Sequence, residues 1–357
     1  MARRIEHLAW LDGRKEAASH DLATSDLVAA AGEAGLVPGS LTDRSDPPPD
    51  RTLEAQLATV YGVTPDSVLV TAGATQANLL AVAAATDEGD RVLVESPGYE
   101  PLRATPSWLG RGVDTFPRPV EAEYALASER ILAETRPETG LVVVTNRHNP
   151  SGRLVNRDTL AVAGVVAGDA DARLLVDEVY APYGVAPRDG AFGGPTAAGM
   201  ENAVVTSSLT KVFGLGGLRI GWIVADPDFV SRARDAMTHT PFVATPSREL
   251  ARRALFHRDD LLTRSREVIR ENGDLLRTFV AGRPDLSGPV FDGATFAFLE
   301  HERADGDELV DAALEADVLL TPGRFFEAPG GVRVSLGHDP AEMQAALDAF
   351  GDVLDGL

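Results

Sequence analysis

Cysteine is absent from the 357 residues, and lysine is almost absent. The lack of cysteine excludes disulfides, thiolate metal sites and cysteine nucleophiles, and no metal site is predicted. No apolar run approaches the roughly 18 residues that span a bilayer, and no apolar signal core follows the first residues. We therefore expect a cytoplasmic protein without a membrane partner.

Positive charge is also scarce: Lys and Arg number 33 against 54 Asp and Glu, which gives a formal net charge of −21. Nucleic acid and anionic membranes are therefore excluded as partners, because neutralising phosphates requires clustered basic residues. The acidic residues are spread along the whole chain, as on a solvated surface. Two interpretations stay open: adaptation to high salt, which screens self-repulsion, and an ordinary acidic cytosolic protein whose genome favours arginine.

Lys15 and Lys211 are the two lysines, and Lys211 lies in the glycine-rich segment 207–221. Arginine stays protonated at any ordinary pH, whereas a buried lysine can lose its proton and attack a carbonyl carbon. A chain that otherwise uses arginine but keeps this lysine indicates a need for an amine. The alternative is a surface lysine that was retained by chance.

Short apolar runs, each ending in a polar or glycine-rich turn, alternate with helical stretches. The runs lie at residues 68–71, 91–95, 141–145, 173–177 and 203–206. This alternation predicts a mostly parallel sheet that is covered by helices on both faces. In such sheets, ligands bind beyond the carboxyl ends of the strands.

The second half of the chain has a different pattern. Long helices are predicted from about residue 226 to residue 280. Beyond them, a strand at 331–335 and helices at 305–316 and 341–354 indicate a smaller α+β unit.

Polar residues follow the predicted strands. The Gly-Ala-Thr turn at 73–75 stands between a strand and a helix, where free N–H groups and the helix dipole can hold a phosphate. Asp177 ends a strand, and its carboxylate caps a helix, pairs with an arginine or pairs with a protonated ring nitrogen. Tyr180 follows three positions later and either hydrogen-bonds a ring oxygen or simply packs.

Four more residues extend this set. Tyr99 follows a Pro-Gly turn and offers a flat aromatic face. Asn149 lies in a turn, and a role as a turn residue alone is its simplest interpretation. Arg219 stands in a glycine-rich bend that suits an anion. Arg333 lies in an apolar strand, where a buried charge needs a carboxylate from the protein or from a substrate.

In this order and spacing, these motifs resemble the class I/II pyridoxal-phosphate-dependent aminotransferases of the aspartate aminotransferase fold. The resemblance covers approximately residues 20–350. It implies fold type I, an α/β fold with a mostly parallel central sheet flanked by helices, in a large domain at residues 36–260. It also implies a small α+β domain made from both chain ends, residues 1–35 and 261–357, and a homodimer.

The resemblance implies that pyridoxal 5′-phosphate is the cofactor and that Lys211 holds it as a Schiff base and later moves the substrate Cα proton. Asp177 would keep the ring nitrogen protonated, Asn149 and Tyr180 would hydrogen-bond the ring oxygen, and Tyr99 would stack on the ring. The phosphate would be held by the first turn and the glycine-rich bend, at Gly73, Ala74, Thr75, Ser208 and Arg219.

The implied activity is transfer of an amino group between an L-amino acid and a 2-oxo acid. Arg333 would bind the substrate carboxylate beside Asn149 and Ala23, and Ala23 belongs to a segment, residues 20–25, that closes over the substrate. A decarboxylase, a β-lyase or a cyclising synthase on the same fold is the alternative. A regulatory sensor protein is a remote one, because the chain has no room for a basic DNA-binding module before Leu22.

Two features depart from the family's usual pattern. Residues 40–50 contain no tyrosine to reach the phosphate of a partner subunit, so that this contact is lost or supplied by Arg44 or Arg51. We identify no second arginine that would bind the side chain of a dicarboxylate, which puts specificity for aspartate or glutamate in doubt. His148, beside Asn149, is expected to be a turn histidine without a role.

Overall fold

The computed structural model describes residues 4–32, 35–183 and 190–357. In chain order its strands are β1 (His20–Asp21), β2 (Val68–Thr71), β3 (Arg91–Ser96), β4 (Gly112–Pro117), β5 (Thr139–Thr145), β6 (Arg173–Asp177), β7 (Ala203–Ser208), β8 (Gly221–Val224), β9 (Leu286–Ser287), β10 (Phe296–His301), β11 (Val318–Leu319), β12 (Thr321–Pro322) and β13 (Gly331–Ser335).

The α-helices in the same ranges are α1 (Glu6–Leu11), α2 (Arg14–Ala17), α3 (Val28–Ala31), α4 (Gly39–Thr42), α5 (Leu53–Tyr61), α6 (Ala74–Ala85), α7 (Glu100–Trp108), α8 (Ser128–Glu134), α9 (Arg157–Gly168), α10 (Pro227–Met237), α11 (Thr245–Phe256), α12 (Arg258–Ala281), α13 (Gly306–Glu315) and α14 (Pro340–Asp355). Among these, no helix is both long enough and apolar enough to cross a membrane.

Seven strands form the central sheet, in the order β2-β8-β7-β6-β5-β3-β4. The pairs from β4 to β7 are parallel, whereas β8 runs antiparallel to both β7 and β2. Strands β2 and β7 are buried at every residue, as expected of strands that are covered on both faces. The predicted fold class, with its mostly parallel sheet flanked by helices, is confirmed.

The register of this sheet brings polar residues to one edge. Thr145 at the end of β5 pairs with Asp177 at the end of β6, and Asp177 pairs with Thr206 in β7. Because the three strands are parallel, the loops that follow them all leave from the same side of the sheet.

The chain ends meet in a smaller unit. Strand β1 near the N-terminus pairs with β11, and β12, β13, β10 and β9 form a four-stranded antiparallel sheet. Helix α12 packs into both hydrophobic cores: Leu262 and Ile269 belong to the larger one and Leu276 to the smaller one. The domain boundaries at residues 35/36 and 260/261 stay a prediction.

Several predicted elements match the observed ones, including β2, β6 and β13 at their predicted limits. The predicted helical region after residue 226 consists of α10, α11 and α12. Strands β4 and β8 were not predicted. The predicted glycine-rich segment ends at Gly221, which begins β8, and a Cβ on this glycine would lie 2.4 Å from the carbonyl carbon of Gly73.

Candidate active site

A cavity of about 340 Å³ opens at the carboxyl ends of β5, β6 and β7. With the exception of Gly73, every predicted site residue lines it: Ala23, Ala74, Thr75, Tyr99, Asn149, Asp177, Tyr180, Ser208, Lys211, Arg219 and Arg333. A larger cavity of about 990 Å³ is lined by other residues, among them Tyr61, Arg157 and Phe291. The sequence-based prediction thus converges on the smaller of these two cavities.

Asp177 presents a buried carboxylate to this cavity, with 4% of its surface exposed. Asn78 Nδ2 donates to Asp177 Oδ2 at 2.9 Å, and the Val179 N–H donates to Oδ1 at 3.2 Å. Both of these donors are neutral. Burial raises the pKa of Asp177, and the two hydrogen bonds oppose that rise. A cation inside the cavity would therefore stabilise the ionised carboxylate.

Lys211 lies beside a carboxylate of the N-terminal segment. Its Nζ donates to Asp26 Oδ1 at 2.6 Å and to Ser25 Oγ at 3.0 Å. Burial lowers the pKa of Lys211, but the charge of Asp26 offsets this effect, and the resulting pKa lies above the usual range. Asp26 therefore holds the amine in its protonated form.

Arg333 is fully buried in β13, with 2% of its surface exposed. Nη1 donates to Asn149 Oδ1 at 2.9 Å and Nη2 to the Ala23 carbonyl at 2.9 Å, while Nε has no hydrogen-bond partner within the described residues. Burial lowers the pKa of Arg333. A buried guanidinium with neutral partners suits an external carboxylate, which would supply the missing negative charge.

Another part of the cavity lining has the features of a phosphate site. Helix α6 begins at Ala74 without a capping side chain, so its first N–H groups are free to bind an anion. Arg219 stands next to this turn, with a left-handed backbone at φ 51°. A Cβ on Gly73 would lie 2.8 Å from a terminal nitrogen of Arg219, and the φ of +85° at this position favours glycine. Ser208 ends β7 on the same side.

Two tyrosines, Tyr180 and Tyr99, also line the cavity. The Tyr180 hydroxyl lies 3.0 Å from Ser25 Oγ, and Lys211 Nζ lies 5.5 Å from the centre of the Tyr180 ring. Tyr99 borders the same cavity, and burial raises its pKa to about 12, so its hydroxyl stays protonated at neutral pH.

His148 is buried rather than a free turn residue. Its Nε2 lies 2.9 Å from the Pro97 carbonyl oxygen, which can only accept, so Nε2 carries the proton. Nδ1 then accepts from Ser151 Oγ at 2.7 Å. The ring joins the turn that carries Asn149 to the loop that carries Tyr99, so it holds the two together.

Sequence reasoning assigned no site role to several polar residues that line the cavity, among them His7, Lys15, Ser25, Asp26 and Asn78. Asn78 lies one turn after Ala74 in α6, and its Oδ1 accepts from Thr206 at 2.6 Å while its Nδ2 holds Asp177. The helical spacing from the Gly-Ala-Thr turn was the signal that could have identified Asn78. The other four belong to the N-terminal segment, whose position depends on contacts with distant parts of the chain.

The residues present fit pyridoxal phosphate. Among the described residues, the carboxylate of Asp177 accepts from neutral donors only, which suits a protonated ring nitrogen, and Lys211 supplies an amine in the same cavity. The uncapped start of α6 and Arg219 suit a phosphate. Together with the strand order, this cavity defines a pyridoxal-phosphate-dependent enzyme of the aspartate aminotransferase fold.

The comparisons with known proteins identify the family. The model of the family "Aminotransferase class I and II" matches residues 23–350, and the chain belongs to this family. A histidinol-phosphate aminotransferase of Erythrobacter litoralis is 30% identical over 303 residues, which cover 82% of this chain and 78% of that protein. A valine–pyruvate aminotransferase of Mycobacterium tuberculosis is 29% identical over 314 residues, with the same two coverages.

A solved structure supports the fold assignment. A pyridoxal-phosphate-dependent aminotransferase from Streptococcus suis superimposes with a TM-score of 0.85 at 24% identity, over 99% of this chain and 98% of that one. At this identity the likeness concerns the fold alone. With the family match, it follows that the protein is a pyridoxal-phosphate-dependent aminotransferase, and amino-group transfer is favoured over the decarboxylase, β-lyase, cyclising synthase and sensor alternatives.

We predict that Asp26→Asn accelerates covalent attachment of pyridoxal phosphate to the cofactor-free protein. The negative charge of Asp26 raises the pKa of Lys211, so its removal lowers that pKa and increases the fraction of neutral, reactive amine at a given pH. The rate at neutral pH should rise by about tenfold for each unit by which the pKa falls. The measurement is the rate of absorbance change after mixing, followed between pH 6 and about pH 10.

Ser25→Ala is the matched control, since it removes the other hydrogen bond to Nζ without a change in charge. Its rate profile should keep the midpoint of the unmodified protein. If Asp26→Asn and Ser25→Ala gave the same profile, the assigned effect of the Asp26 charge would be wrong.

Proposed function

We propose that Lys211, Asp177 and Arg333 divide the work of transamination between an L-amino acid and a 2-oxo acid. One observation carries the proposal: a buried anion and a buried cation face one cavity, each with only neutral hydrogen-bond partners among the described residues, and a lysine lies in the same cavity. Buried charges need partners, so the two open positions suit a ring cation and a substrate carboxylate.

Bound pyridoxal phosphate supplies an electron-accepting ring that stabilises the charge left at the substrate Cα after its proton is removed. Lys211 holds the cofactor and then serves as the base that takes the proton from the substrate Cα and delivers it to C4′ of the cofactor. Asp26 and Ser25 are within hydrogen-bond distance of its Nζ and orient the amine when it is free. Tyr180, whose ring lies beside that amine, limits its movement.

Asp177 keeps a proton on the ring nitrogen. Asn78 donates a hydrogen bond to this carboxylate and in turn accepts one from Thr206, which fixes the amide in place. The Tyr180 hydroxyl and the Asn149 amide nitrogen are the donors proposed for the ring oxygen. Asn149 Oδ1 already accepts from Arg333, which leaves its Nδ2 for that bond. Tyr99 is proposed to cover the face of the ring.

Arg333 binds the substrate carboxylate with a paired set of N–H donors. The Ala23 carbonyl and Asn149 fix the guanidinium from the other side, so it does not need to reorganise when the substrate arrives. The phosphate is held by the free N–H groups of Ala74 and Thr75, by Ser208 and by Arg219, and Gly73 leaves room for the contact.

We also propose that the protein is a homodimer with the phosphate site near the subunit interface. An apolar cavity of about 470 Å³, lined by Ile5, Leu79 and Trp108, adjoins Thr75 and Arg219. Trp108 is 57% exposed, which is unusual for so large an apolar side chain and favours a cover by a second subunit. Sedimentation should give twice 37.7 kDa; a fully active species of 37.7 kDa would contradict the dimer.

The structure gives little support for a contact between Arg44 and the phosphate of a partner subunit. Arg44 Nη1 pairs with Asp260 of its own chain at 2.9 Å, so it would have to leave this partner to reach a neighbouring phosphate. Arg51 or the loss of that contact therefore fits better. A cytoplasmic location likewise stays a prediction from the sequence.

The reaction type is tested with a panel of amino donors, followed by the change in cofactor absorbance as the amino group is transferred to it. We expect L-amino acids to complete this half-reaction and 2-oxo acids to reverse it. Release of CO₂ or of a side-chain fragment without that transfer would instead indicate a decarboxylase or a β-lyase.

For Arg333→Ala we predict that kcat/KM for amino acids falls. The fall should correspond to a loss of about 1.5–3 kcal/mol of transition-state stabilisation, the contribution of a hydrogen bond to a charged group. The matched substrate is the amine that lacks the α-carboxylate. Its kcat/KM should be low in the unmodified enzyme and should change little in Arg333→Ala. An equal loss for the amino acid and the amine would show that Arg333 does not bind the carboxylate.

A further inference from the structure

Both lysines of the chain line the same cavity. Lys15 lies in the short helix α2, far from Lys211 in sequence, and its side chain reaches the cavity border. Within the described residues, Lys15 has no hydrogen bond or ion pair with another side chain. His7 and Asp26 line the same cavity, and the charge of Lys15 lowers the pKa of both.

His7 is the second unexplained polar group in this wall. It is 2% exposed, and neither ring nitrogen has a hydrogen-bond partner in the described parts of the chain. The ring stacks on Phe325, with centroids 5.1 Å apart, and meets the Tyr99 ring edge-on at 5.8 Å. Burial, followed by the charges of Arg333 and Lys211, lowers the pKa of His7 to about 3, so the imidazole is neutral. A neutral imidazole has one donor nitrogen and one acceptor nitrogen, and both are unused.

The position of His7 is fixed by the backbone as well as by the ring. Glu100 accepts the Glu6 N–H at 3.0 Å and the His7 N–H at 2.7 Å, which ties the start of α1 to α7. A polar ring that is held rigidly at a cavity wall without a partner loses the hydrogen bonds that it would make in water. A bound ligand with a polar group would restore them.

The other cations of the cavity already have partners in the proposed reaction. Arg219 binds the cofactor phosphate, Arg333 binds the substrate carboxylate, and Lys211 pairs with Asp26 until the cofactor binds. Lys15 is the remaining cation of the cavity lining, and the proposed reaction assigns no partner to it. The surrounding wall is apolar, with Leu8, Leu11, Pro101 and Leu102, and suits the methylene groups of a substrate side chain.

We propose that Lys15 and His7 form the subsite for the substrate side chain and that this subsite selects an amino acid whose side chain ends in an anionic group. Lys15 supplies the positive charge and His7 donates a hydrogen bond to the same anion. The shared chemistry is that of a carboxylate or a phosphate ester. This inference rests on the proposed function, since it concerns the substrate of that reaction, and it supplies a lysine where no second arginine was identified.

The decisive comparison is between an acid and its uncharged isostere in the holoenzyme. We expect kcat/KM for glutamate to exceed that for glutamine by about 10- to 100-fold, the range of a hydrogen bond to a charged group. Lys15→Met should bring this ratio close to one, and Lys15→Glu should reverse it. O-phosphohomoserine against homoserine forms a second arm, and the larger of the two ratios distinguishes a phosphate from a carboxylate as the natural anion.

Arg14→Met is the matched control for a lost positive charge. Arg14 is adjacent in α2, but its guanidinium donates to the Trp10 carbonyl and lies over the Trp10 ring, outside the cavity lining. Its glutamate-to-glutamine ratio should equal that of the unmodified enzyme. His7→Phe keeps an aromatic ring against Phe325 and removes the ring nitrogens. It should raise KM for glutamate by about 3- to 10-fold and change KM for glutamine less.

A calorimetric measurement does not depend on turnover. Glutarate and pentanoate differ only in the distal carboxylate, and glutarate should bind the holoenzyme at least about tenfold more tightly, an advantage that Lys15→Met abolishes. Equal glutamate-to-glutamine ratios of kcat/KM in the unmodified enzyme, Lys15→Met and Arg14→Met would overturn the proposed subsite. A preference of the unmodified enzyme for basic or apolar amino donors would also overturn it. Failure of every amino donor with retained, Lys15-dependent glutarate binding would reject the proposed reaction and leave the anion subsite standing.

Discussion

Two buried charges of opposite sign govern this structure. Asp177 ends a strand of the central sheet, Arg333 lies within a strand of the smaller unit, and both face one cavity with neutral partners from the described chain. Burying a charge without a counter-charge is costly, so such a pair persists where ligands complete it. The parallel strands supply the anion and the small unit supplies the cation, which explains why the two units must meet at this point.

Much of this arrangement could be predicted from the sequence. Strands β2 and β6 were located at their limits because they are covered on both faces and therefore form continuous apolar runs. The residues that follow such strands must meet at one edge of a parallel sheet, so the sequence alone places Asp177 and Lys211 together. Strand β8 was not predicted, and its antiparallel direction could not have been, since an apolar run carries no signal for its orientation in the sheet.

The N-terminal wall of the cavity was beyond sequence reasoning for a different reason. Its position depends on two long-range contacts: Glu100 accepts backbone N–H groups of α1, and Phe325 stacks on His7. Glu100 lies 93 and 94 residues from the N–H groups that it accepts, and Phe325 lies more than 300 residues from His7. No local sequence pattern predicts contacts over such separations. The same holds for Asp26, whose bond to Lys211 joins residues 185 apart. Local signals thus indicated the cofactor site, whereas the wall that faces the substrate side chain was visible only in the structure.

The central claim is that Lys211 is the amine that holds the cofactor. Because the chain has only two lysines, both at the same cavity, one measurement decides the matter directly. The cofactor-free protein is incubated with pyridoxal phosphate, reduced with borohydride and digested, and the modified peptide is identified by mass. The account predicts a single adduct on the peptide that contains Lys211. An adduct on Lys15 or on the N-terminal amine, with Lys211 unmodified, would contradict it.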